Sequence, residues 1–175
     1  MVEPVDIESA ARAVGVALLP EQAIQLAAHL NAVLNANEHF NLTAIRSEPA
    51  AVELHVIDSL AAGAAIGRLS PGGPFLDIGT GAGFPGVPLA ILLGGQWTYC
   101  ESVRKKADFL RDALAAHHLP GCVYHGRAER LAIERPAHFG TVTARALSAW
   151  PSLLELASPL LLPGGRLIAL KGLVT

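Results

Sequence analysis

The sequence has few cysteines and no long hydrophobic run. Its only cysteines, Cys100 and Cys122, stand in predicted strands and lack metal-ligand spacing. We therefore expect both to be reduced and buried, in a cytoplasmic protein that binds no metal. No apolar run reaches about 18 residues without a charge, a proline or a glycine pair, so no membrane-spanning helix is predicted. The acidic N-terminus lacks the basic and apolar regions of a secretory signal.

Charge is also scarce. Charged residues make up 16% of the 175-residue chain, and the formal net charge is −2. Proteins that attract nucleic acid over long distances are usually basic, so the overall charge does not favour a polyanionic partner. A local basic patch could still bind one. Hydrophobic residues make up 51% of the chain, which excludes a disordered protein and predicts a core that needs no disulfide or metal.

The chain divides into two predicted parts, a helical extension at residues 1–70 and a nucleotide-binding core at residues 71–175. Within the extension, Pro20 opens a segment whose apolar residues recur at helical spacing. Ser47 is a candidate N-cap for a second helix, which we expect to run to about Ile66. The proline- and glycine-rich segment 70–74 then breaks the chain.

From Phe75 onward, predicted strands alternate with predicted helices. This alternation is typical of an α/β fold with a mostly parallel, Rossmann-like sheet and helices on both faces. The predicted strands are 75–78, 97–101, 122–125, 139–143 and 166–170, and the predicted helices include 87–93, 103–117 and 148–161.

A glycine-rich turn follows the first strand. Gly79, Gly81 and Gly83 alternate with other residues before a predicted helix begins. Backbone without side chains can approach a nucleotide closely, and a helix start offers free N–H groups. Asp77 precedes the first glycine, where its carboxylate would repel a pyrophosphate but attract a cationic ligand end. This combination favours S-adenosylmethionine as the ligand.

The same turn also fits a dinucleotide motif. Residues 81–86 match G-x-G-x-x-G, and Glu101 stands near the spacing expected of a ribose-binding carboxylate. Asp77, the additional Gly79 and the prolines at 85 and 88 count against that interpretation. A nicotinamide-dependent oxidoreductase stays the alternative enzyme, although no second domain for a hydride acceptor is visible.

Three further candidate sites follow predicted strands. Glu101 ends strand two, where an acidic group can bind both ribose hydroxyls or cap the next helix. Ala128 and Glu129 come after strand three and could read an adenine ring, although a surface turn is the default for such a tripeptide with Arg127. Arg145 follows strand four, where it could bind a ligand carboxylate, an RNA phosphate or a carboxylate across the loop.

Two polar clusters lie outside the strand ends. His55, Asp58 and Ser59 have the residue types of a hydrolase triad, but no nucleophile elbow or oxyanion hole accompanies them. We expect polar side chains on a helix surface, which could touch substrate. Residues 104–106 are basic and form either a solvated helix face or a contact for RNA phosphates. Lys171 ends strand five and could also touch substrate.

Taken in order, these motifs resemble the small-subunit ribosomal RNA guanine-N7 methyltransferase family (RsmG, formerly GidB). The resemblance implies a class I Rossmann-like methyltransferase fold, S-adenosylmethionine as donor and a guanine of 16S rRNA in the small ribosomal subunit as acceptor. The matching segments are 41–45, His55 with 58–59, 77–88, 127–129, 145–146 and 170–172.

The resemblance also implies roles for individual residues. Gly79 and Phe84 would line the methionine end of the cofactor, Ala128 and Glu129 would contact the adenine, and Arg145 would complete the pocket. Family members usually continue past residues 171–172 into a final antiparallel strand pair. This chain ends at Thr175, so we expect strand five to form an exposed edge.

The implied reaction needs no catalytic residue. Guanine N7 has an available lone pair and no proton, so direct in-line methyl transfer requires no general base. Positioning and electrostatics would carry catalysis, which fits the absence of an acid–base dyad in the sequence. A non-catalytic RNA- or ribosome-associated binding module is the alternative from another class. The sequence leaves the oligomeric state open.

Overall fold

The N-terminal part is almost entirely helical. A computed structural model describes residues 1–69, 72–145 and 149–170. The N-terminal elements are α1 (Pro4–Ala13), α2 (Pro20–Asn37), α3 (Glu48–Ala51), a π-helical segment (Val52–Ile57) and α4 (Asp58–Leu69). The helix predicted to begin at Pro20 is confirmed. The one predicted from Ser47 to about Ile66 is present, but a π-helical segment interrupts it.

Helix α1 is an addition to the predicted elements. Its start carries a recognisable signal, because Pro4 stands in the first turn and the Asp6 carboxylate accepts a hydrogen bond of 3.1 Å from the Glu3 N–H. Proline and a carboxylate are both favourable at a helix start. Its inner face is short, with Ile7 and Ala11 as its buried residues. That weak periodicity hid it in the sequence.

Five parallel strands form the sheet, in the order β3-β2-β1-β4-β5. The predicted bounds of the first three strands are confirmed, and the predicted α/β class with them. The elements of this part are β1 (Phe75–Ile78), α5 (Gly86–Leu93), β2 (Trp97–Glu101), α6 (Arg104–Ala116), β3 (Cys122–His125), α7 (Ala128–Glu134), β4 (Phe139–Arg145), α8 (Trp150–Ala157), a 3₁₀ turn (Ser158–Leu160) and β5 (Leu161–Leu170).

The last two strands are longer than predicted. Strand β4 runs two residues further, to Arg145, and β5 begins at Leu161 rather than at residue 166. Leu161 pairs with Phe139, but the next pair joins Arg166 to Thr141, so residues 162–165 bulge from the ladder. Proline and two glycines occupy this bulge and hid the earlier pairing in the sequence. Residues 146–148, where the last helix was predicted to begin, lie outside the described residues.

The strand order reverses beside β1. The chain adds β2 and β3 on one side of β1 and then places β4 and β5 on the other side. In open α/β sheets, ligands bind outside the carboxyl ends of the strands at such a switch point. The switch-point crevice of this sheet therefore lies where β1 ends at Ile78 and β4 ends at Arg145.

Two hydrophobic clusters cover the two faces of the sheet. Phe75, Trp97 and Tyr99 face a cluster that they share with the N-terminal helices, α5 and α6. Leu76 and Ile78 face the other cluster, with α7 and α8. Alternate residues of a strand point to opposite faces, so Asp77 lies on the same face as Phe75. Because the N-terminal helices share the first cluster with the core, the division at residue 70 stays a prediction.

One cysteine prediction is wrong. Cys100 is buried as expected, whereas Cys122 is exposed, because β3 is an edge strand whose side chains are only partly covered. Neither forms a disulfide. Among residues 1–69, 72–145 and 149–170, no helix is long and apolar enough to cross a membrane. No group of three or more potential metal-ligating side chains occurs within those ranges.

Candidate functional site

The glycine turn after β1 is built from left-handed backbone. Gly79, Gly81 and Gly83 have φ values of 64°, 60° and 98°, a region that favours glycine. The N–H groups of Gly79 and Thr80 both donate to the carbonyl of Cys100, at 2.9 and 3.2 Å. These bonds fasten the turn over the end of β2, which is where a nucleotide site was predicted.

The glycines differ in what surrounds them. At Gly81 an added Cβ would meet no atom closer than 4.0 Å, so this part of the turn is open. At Gly83 it would lie 2.8 Å from His29 Nε2 and 2.8 Å from Val87. Gly83 therefore serves close packing in this structure, and its predicted contact with the cofactor stays a prediction.

The Asp77 carboxylate is enclosed beneath this turn. It is fully buried, and its oxygens accept hydrogen bonds from the Gly86 N–H at 3.0 Å and from the Thr143 hydroxyl at 2.9 Å. Burial raises its pKa to about 6, against the opposing effect of the hydrogen bonds from Thr143 and Gly86. In this position the carboxylate holds the start of α5, where a negative charge is favourable. Its attraction for the cationic end of a ligand stays a prediction.

Glu101 joins the turn to the start of α6. One carboxylate oxygen accepts from the Gly81 N–H at 2.9 Å, and the other accepts from the Val103 N–H at 2.7 Å. The side chain is buried at the carboxyl end of β2. The capping alternative is confirmed in part: the carboxylate bonds the N-cap residue of α6, Val103, but the side chain is buried rather than solvated. Ribose binding by the same carboxylate stays a prediction.

A cleft of about 170 Å³ opens beside Gly79, at the ends of β1, β2 and β3. Ala128 and Glu129 line it, and they form the first turn of α7 rather than the surface turn that was the default expectation. Arg127 precedes them, 3.9 Å from the Glu129 carboxylate. The wall is completed by Ile78, Cys100, Ser102, Gly126 and Leu156.

A larger groove, of about 620 Å³, lies elsewhere, between the end of α2 and α6. The rings of Phe40 and Phe109 meet edge-on within it, with centroids 6.2 Å apart. None of its lining residues belongs to the glycine turn or to a strand end. The smaller cleft is therefore the better candidate for a nucleotide.

Phe84 and Arg145 lie together at the other side of the turn. The Phe84 ring is only 3% exposed and stacks against the His55 imidazole at 4.4 Å between centroids. The Arg145 guanidinium lies 5.7 Å from the same ring and donates to the Leu54 carbonyl and to His55 Nδ1. Arg145 lies beside Phe84 of the glycine turn but does not line the cleft at Gly79, and Phe84 is covered by its neighbours. A role of either residue at the methionine end stays a prediction.

The prediction that His55, Asp58 and Ser59 lie on a helix surface is partly wrong. His55 and Ser59 are buried, and Asp58 is exposed. The π-helical segment turns His55 inward onto Phe84, and the Ser59 hydroxyl donates to the His55 carbonyl. That hydroxyl thus bonds to backbone rather than to the imidazole, and no hydrolase triad forms.

Sequence reasoning missed two participants in this cluster. Thr43 Oγ1 lies 3.0 Å from His55 Nε2, and His29 packs against Phe84 with centroids 5.1 Å apart. Thr43 stood in a motif that was noted but given no role. His29 occupies a buried position of α2, and nothing in its sequence neighbourhood points to the glycine turn.

The basic segment at the start of α6 is solvent-facing. Arg104 and Lys105 are exposed and Lys106 is half-buried. They follow Glu101 directly, so they lie beside the candidate nucleotide site. Their contact with RNA stays a prediction. Lys171 lies outside the described residues.

Comparison with known proteins gives a consistent family. The model of the rRNA small subunit methyltransferase G family, GidB, matches residues 22–175. A ribosomal RNA small subunit methyltransferase G from Leptothrix cholodnii is 39% identical, covering 93% of this chain and 75% of that protein. Its namesake in Deinococcus radiodurans is 45% identical, covering 83% of this chain and 59% of its own length. The chain therefore spans about three fifths to three quarters of these relatives.

Solved structures share the fold. An O-methyltransferase from Bacillus cereus, in complex with SAH, has a TM-score of 0.57 at 24% identity, covering 81% of this chain and 64% of that one. A SAM-dependent methyltransferase from Thiobacillus denitrificans, in complex with S-adenosyl-L-homocysteine, has a TM-score of 0.56 at 18% identity, covering 78% and 54%. These similarities confirm the predicted methyltransferase fold. The family is shown by the match over residues 22–175 together with the relatives at 39% and 45% identity: the chain belongs to the rRNA small subunit methyltransferase G family.

Proposed function

We propose that this chain transfers a methyl group from S-adenosylmethionine to N7 of a guanine in 16S rRNA of the small ribosomal subunit, in the cytoplasm. The family supports a ribosomal RNA methyltransferase. The observation that carries the proposal is the glycine turn at the switch point, whose Gly81 N–H is held by the Glu101 carboxylate.

The residues at the turn fit the cofactor. The open space at Gly81 admits a ligand against bare backbone, and the cleft beside Gly79 leads to Ala128 and Glu129. We assign the adenine to these two residues, the ribose to Glu101 and the methionine carboxylate to Arg145. The cleft volume of about 170 Å³ is below the roughly 300–1,000 Å³ of typical small-molecule sites, so it would enclose only part of the ligand.

The protein contributes orientation and electrostatics to this reaction. When bound, S-adenosylmethionine supplies an electrophilic methyl group. Guanine N7 loses no proton as it is methylated, so no side chain has to act as a base. The His55 imidazole is buried and engaged by Arg145, and Asp77 is enclosed by hydrogen bonds. We therefore assign catalysis to alignment of the two reactants rather than to a titrating group.

Calorimetric titration with S-adenosylmethionine and with NAD tests the cofactor. We expect binding of S-adenosylmethionine and none of NAD. Binding of NAD alone would restore the oxidoreductase alternative, which the methyltransferase neighbours do not favour.

A matched pair of variants on α7 tests the site. Glu129 lines the cleft, whereas Glu134 pairs with Arg130 at 2.7 Å on the same helix. We expect Glu129→Ala to weaken S-adenosylmethionine binding several-fold and Glu134→Ala to leave it unchanged. Equal effects of the two variants would remove the adenine assignment.

Transfer itself is tested with labelled S-adenosylmethionine and purified small subunits. We expect label in 16S rRNA, recovered as N7-methylguanine by mass spectrometry after digestion. Binding of small subunits without transfer would favour the non-catalytic module instead. Transfer to another position would refute the assignment to N7.

A further inference from the structure

His55 is held between two polar groups whose chemistry fixes its protonation. Its Nδ1 lies 2.9 Å from Arg145 Nη2, and its Nε2 lies 3.0 Å from Thr43 Oγ1. A guanidinium has donors only, so Nδ1 must be the acceptor and carry no proton. In the neutral ring the proton then sits on Nε2 and is donated to the Thr43 hydroxyl oxygen.

The surroundings keep the ring neutral. Burial, and then the charge of Arg145, lower the pKa of His55 to about 4. Thr43 is fixed as well, because its hydroxyl oxygen also accepts from the Ile45 N–H at 3.2 Å. The imidazole lies flat on the Phe84 ring, with 5° between the planes. Position, tautomer and tilt of the ring are thus all determined by neighbours.

Arg145 depends on this arrangement for its own position. It is the last residue of β4, and its guanidinium donates to the Leu54 carbonyl at 2.7 Å and to His55 Nδ1 at 2.9 Å. Both anchors belong to the π-helical segment. Segments of this kind are frequent at functional sites, where they redirect a side chain.

We propose that His55 is a positioning residue, which presents an unprotonated Nδ1 to fix the Arg145 guanidinium beside the glycine turn for the cofactor. The proposal rests on the proposed function, in which Arg145 binds the methionine carboxylate. Thr43 is the outer support, because its hydroxyl oxygen accepts the hydrogen bond from Nε2–H and so favours the tautomer in which Nδ1 is free to accept.

Two substitutions separate the two ring nitrogens. In His55→Asn the amide oxygen can stand near the place of Nδ1 and still accept from Arg145. In His55→Gln the amide reaches the place of Nε2, so the contact with Thr43 survives and the acceptor for Arg145 is lost. Both lose the stacked ring, so they form a matched pair.

Calorimetry with S-adenosylmethionine gives the expected order. We expect His55→Gln to weaken binding about tenfold or more, the effect of losing one hydrogen bond to a charged group, and His55→Asn to weaken it only a few-fold. In an Arg145→Ala background, His55→Gln should cause no further loss, because its effect passes through Arg145. The proposal would be overturned if His55→Asn and His55→Gln weakened S-adenosylmethionine binding equally. It would also be overturned if the losses caused by His55→Gln and Arg145→Ala were additive.

Nitrogen NMR of the wild-type chain labelled at histidine checks the tautomer directly. We expect an unprotonated Nδ1 and a protonated Nε2 at His55, assigned by their disappearance in His55→Asn. A protonated Nδ1 would refute the proposal even if S-adenosylmethionine binds. If the tautomer is as expected but the wild type binds no S-adenosylmethionine, the proposed function fails and the role assigned to His55 fails with it.

A second pair covers the case in which His55→Gln does not fold. Thr43→Val removes the outer support and Thr43→Ser keeps the hydroxyl. We expect Thr43→Val to weaken binding several-fold and Thr43→Ser to restore it to near wild type. Thr98→Val serves as the matched control, because Thr98 is a buried threonine of β2 whose hydroxyl contacts Cys122 rather than His55, and we expect it to bind S-adenosylmethionine like the wild type. Indistinguishable binding of the two Thr43 variants would contradict the proposed support.

Discussion

At the scale of single residues, substitutions at Gly83 and Gly81 should affect different properties: at Gly83 mainly the stability of the fold, at Gly81 mainly the binding of the cofactor. Both have positive φ, so alanine costs about 1–2 kcal/mol of backbone strain at either position. Only at Gly83 would the added Cβ also collide with His29 and Val87, at 2.8 Å from each. Overpacking of this kind adds about 1–3 kcal/mol.

We therefore predict that Gly83→Ala lowers the free energy of unfolding by about 2–5 kcal/mol and that Gly81→Ala lowers it by about 1–2 kcal/mol. Gly81→Ala should instead weaken S-adenosylmethionine binding, since its methyl group enters the open space of the turn. Urea unfolding and calorimetry measure the two effects. A Gly81→Ala variant that binds the cofactor normally would remove this residue from the site.

At the scale of elements, one side chain fixes the conformation of the loop between α2 and α3 through hydrogen bonds. Asn37 ends α2, and its Oδ1 accepts from the N–H groups of Leu42 and Thr43 at 2.9 and 3.0 Å. These bonds place Thr43 against His55. Through His55, which stacks on Phe84, the loop is thereby connected to the glycine turn.

We predict that Asn37→Ala destabilises the protein by about 1–3 kcal/mol, because it leaves backbone donors without their acceptor. Asn37→Asp would bury a charge and turn an oxygen toward the Ile45 carbonyl, so Asn37→Ser, whose hydroxyl oxygen can still accept a backbone bond, is the milder change. Thermal unfolding gives the order of stability, and calorimetry should show weaker S-adenosylmethionine binding by Asn37→Ala. If Ser and Ala are equally destabilising, the two backbone bonds do not account for the role of Asn37.

The elements of the sheet were predictable, whereas the contacts around the turn were not. Strands β1 to β3 are short apolar runs bounded by glycine, proline or polar residues, so local sequence determines their ends. The Glu101 position followed from the same pattern. The inward turn of His55 depends on a π-helical segment and on Phe84, which comes 29 positions later. No local periodicity carries that information.

At the scale of the whole molecule, three buried groups give stability a characteristic pH dependence. Burial lowers the pKa of both His29 and His55 from 6.5 to about 4. Between pH 6.5 and about 4 these two histidines are protonated in the unfolded chain but neutral in the native state, so acidification destabilises the protein. Asp77 acts in the opposite direction between pH 6 and 3.8, because burial raises its pKa.

Two histidines outweigh one aspartate, so we predict that the free energy of unfolding falls as the pH drops from 6.5 to 4. The fully buried His29 alone would contribute about 3 kcal/mol to this fall. His29→Gln should flatten the dependence and Asp77→Asn should steepen it. Urea unfolding across this interval measures the slopes. A stability that rises on acidification would show that Asp77 dominates.

The shared hydrophobic cluster makes a second prediction at this scale. Leu30 and Val33 of α2 belong to the same cluster as Val87 of α5 and Trp97 of β2. We expect residues 1–70 and 71–175 to unfold in one transition, because neither part keeps its core without the other. Helical circular dichroism and the fluorescence of buried Trp97 should change at the same urea concentration. Separate transitions would support two independent parts.

The span of the Arg145 contacts has a consequence for how the protein is made. The hydrogen bonds from Arg145 to Leu54 and His55 join residues 91 and 90 positions apart in the chain. A chain leaving the ribosome can form its N-terminal helices early, but these two bonds must wait until Arg145 has emerged. The crevice beside the glycine turn is therefore completed late in synthesis. A nascent chain arrested before that point would lack the guanidinium that we assign to the cofactor.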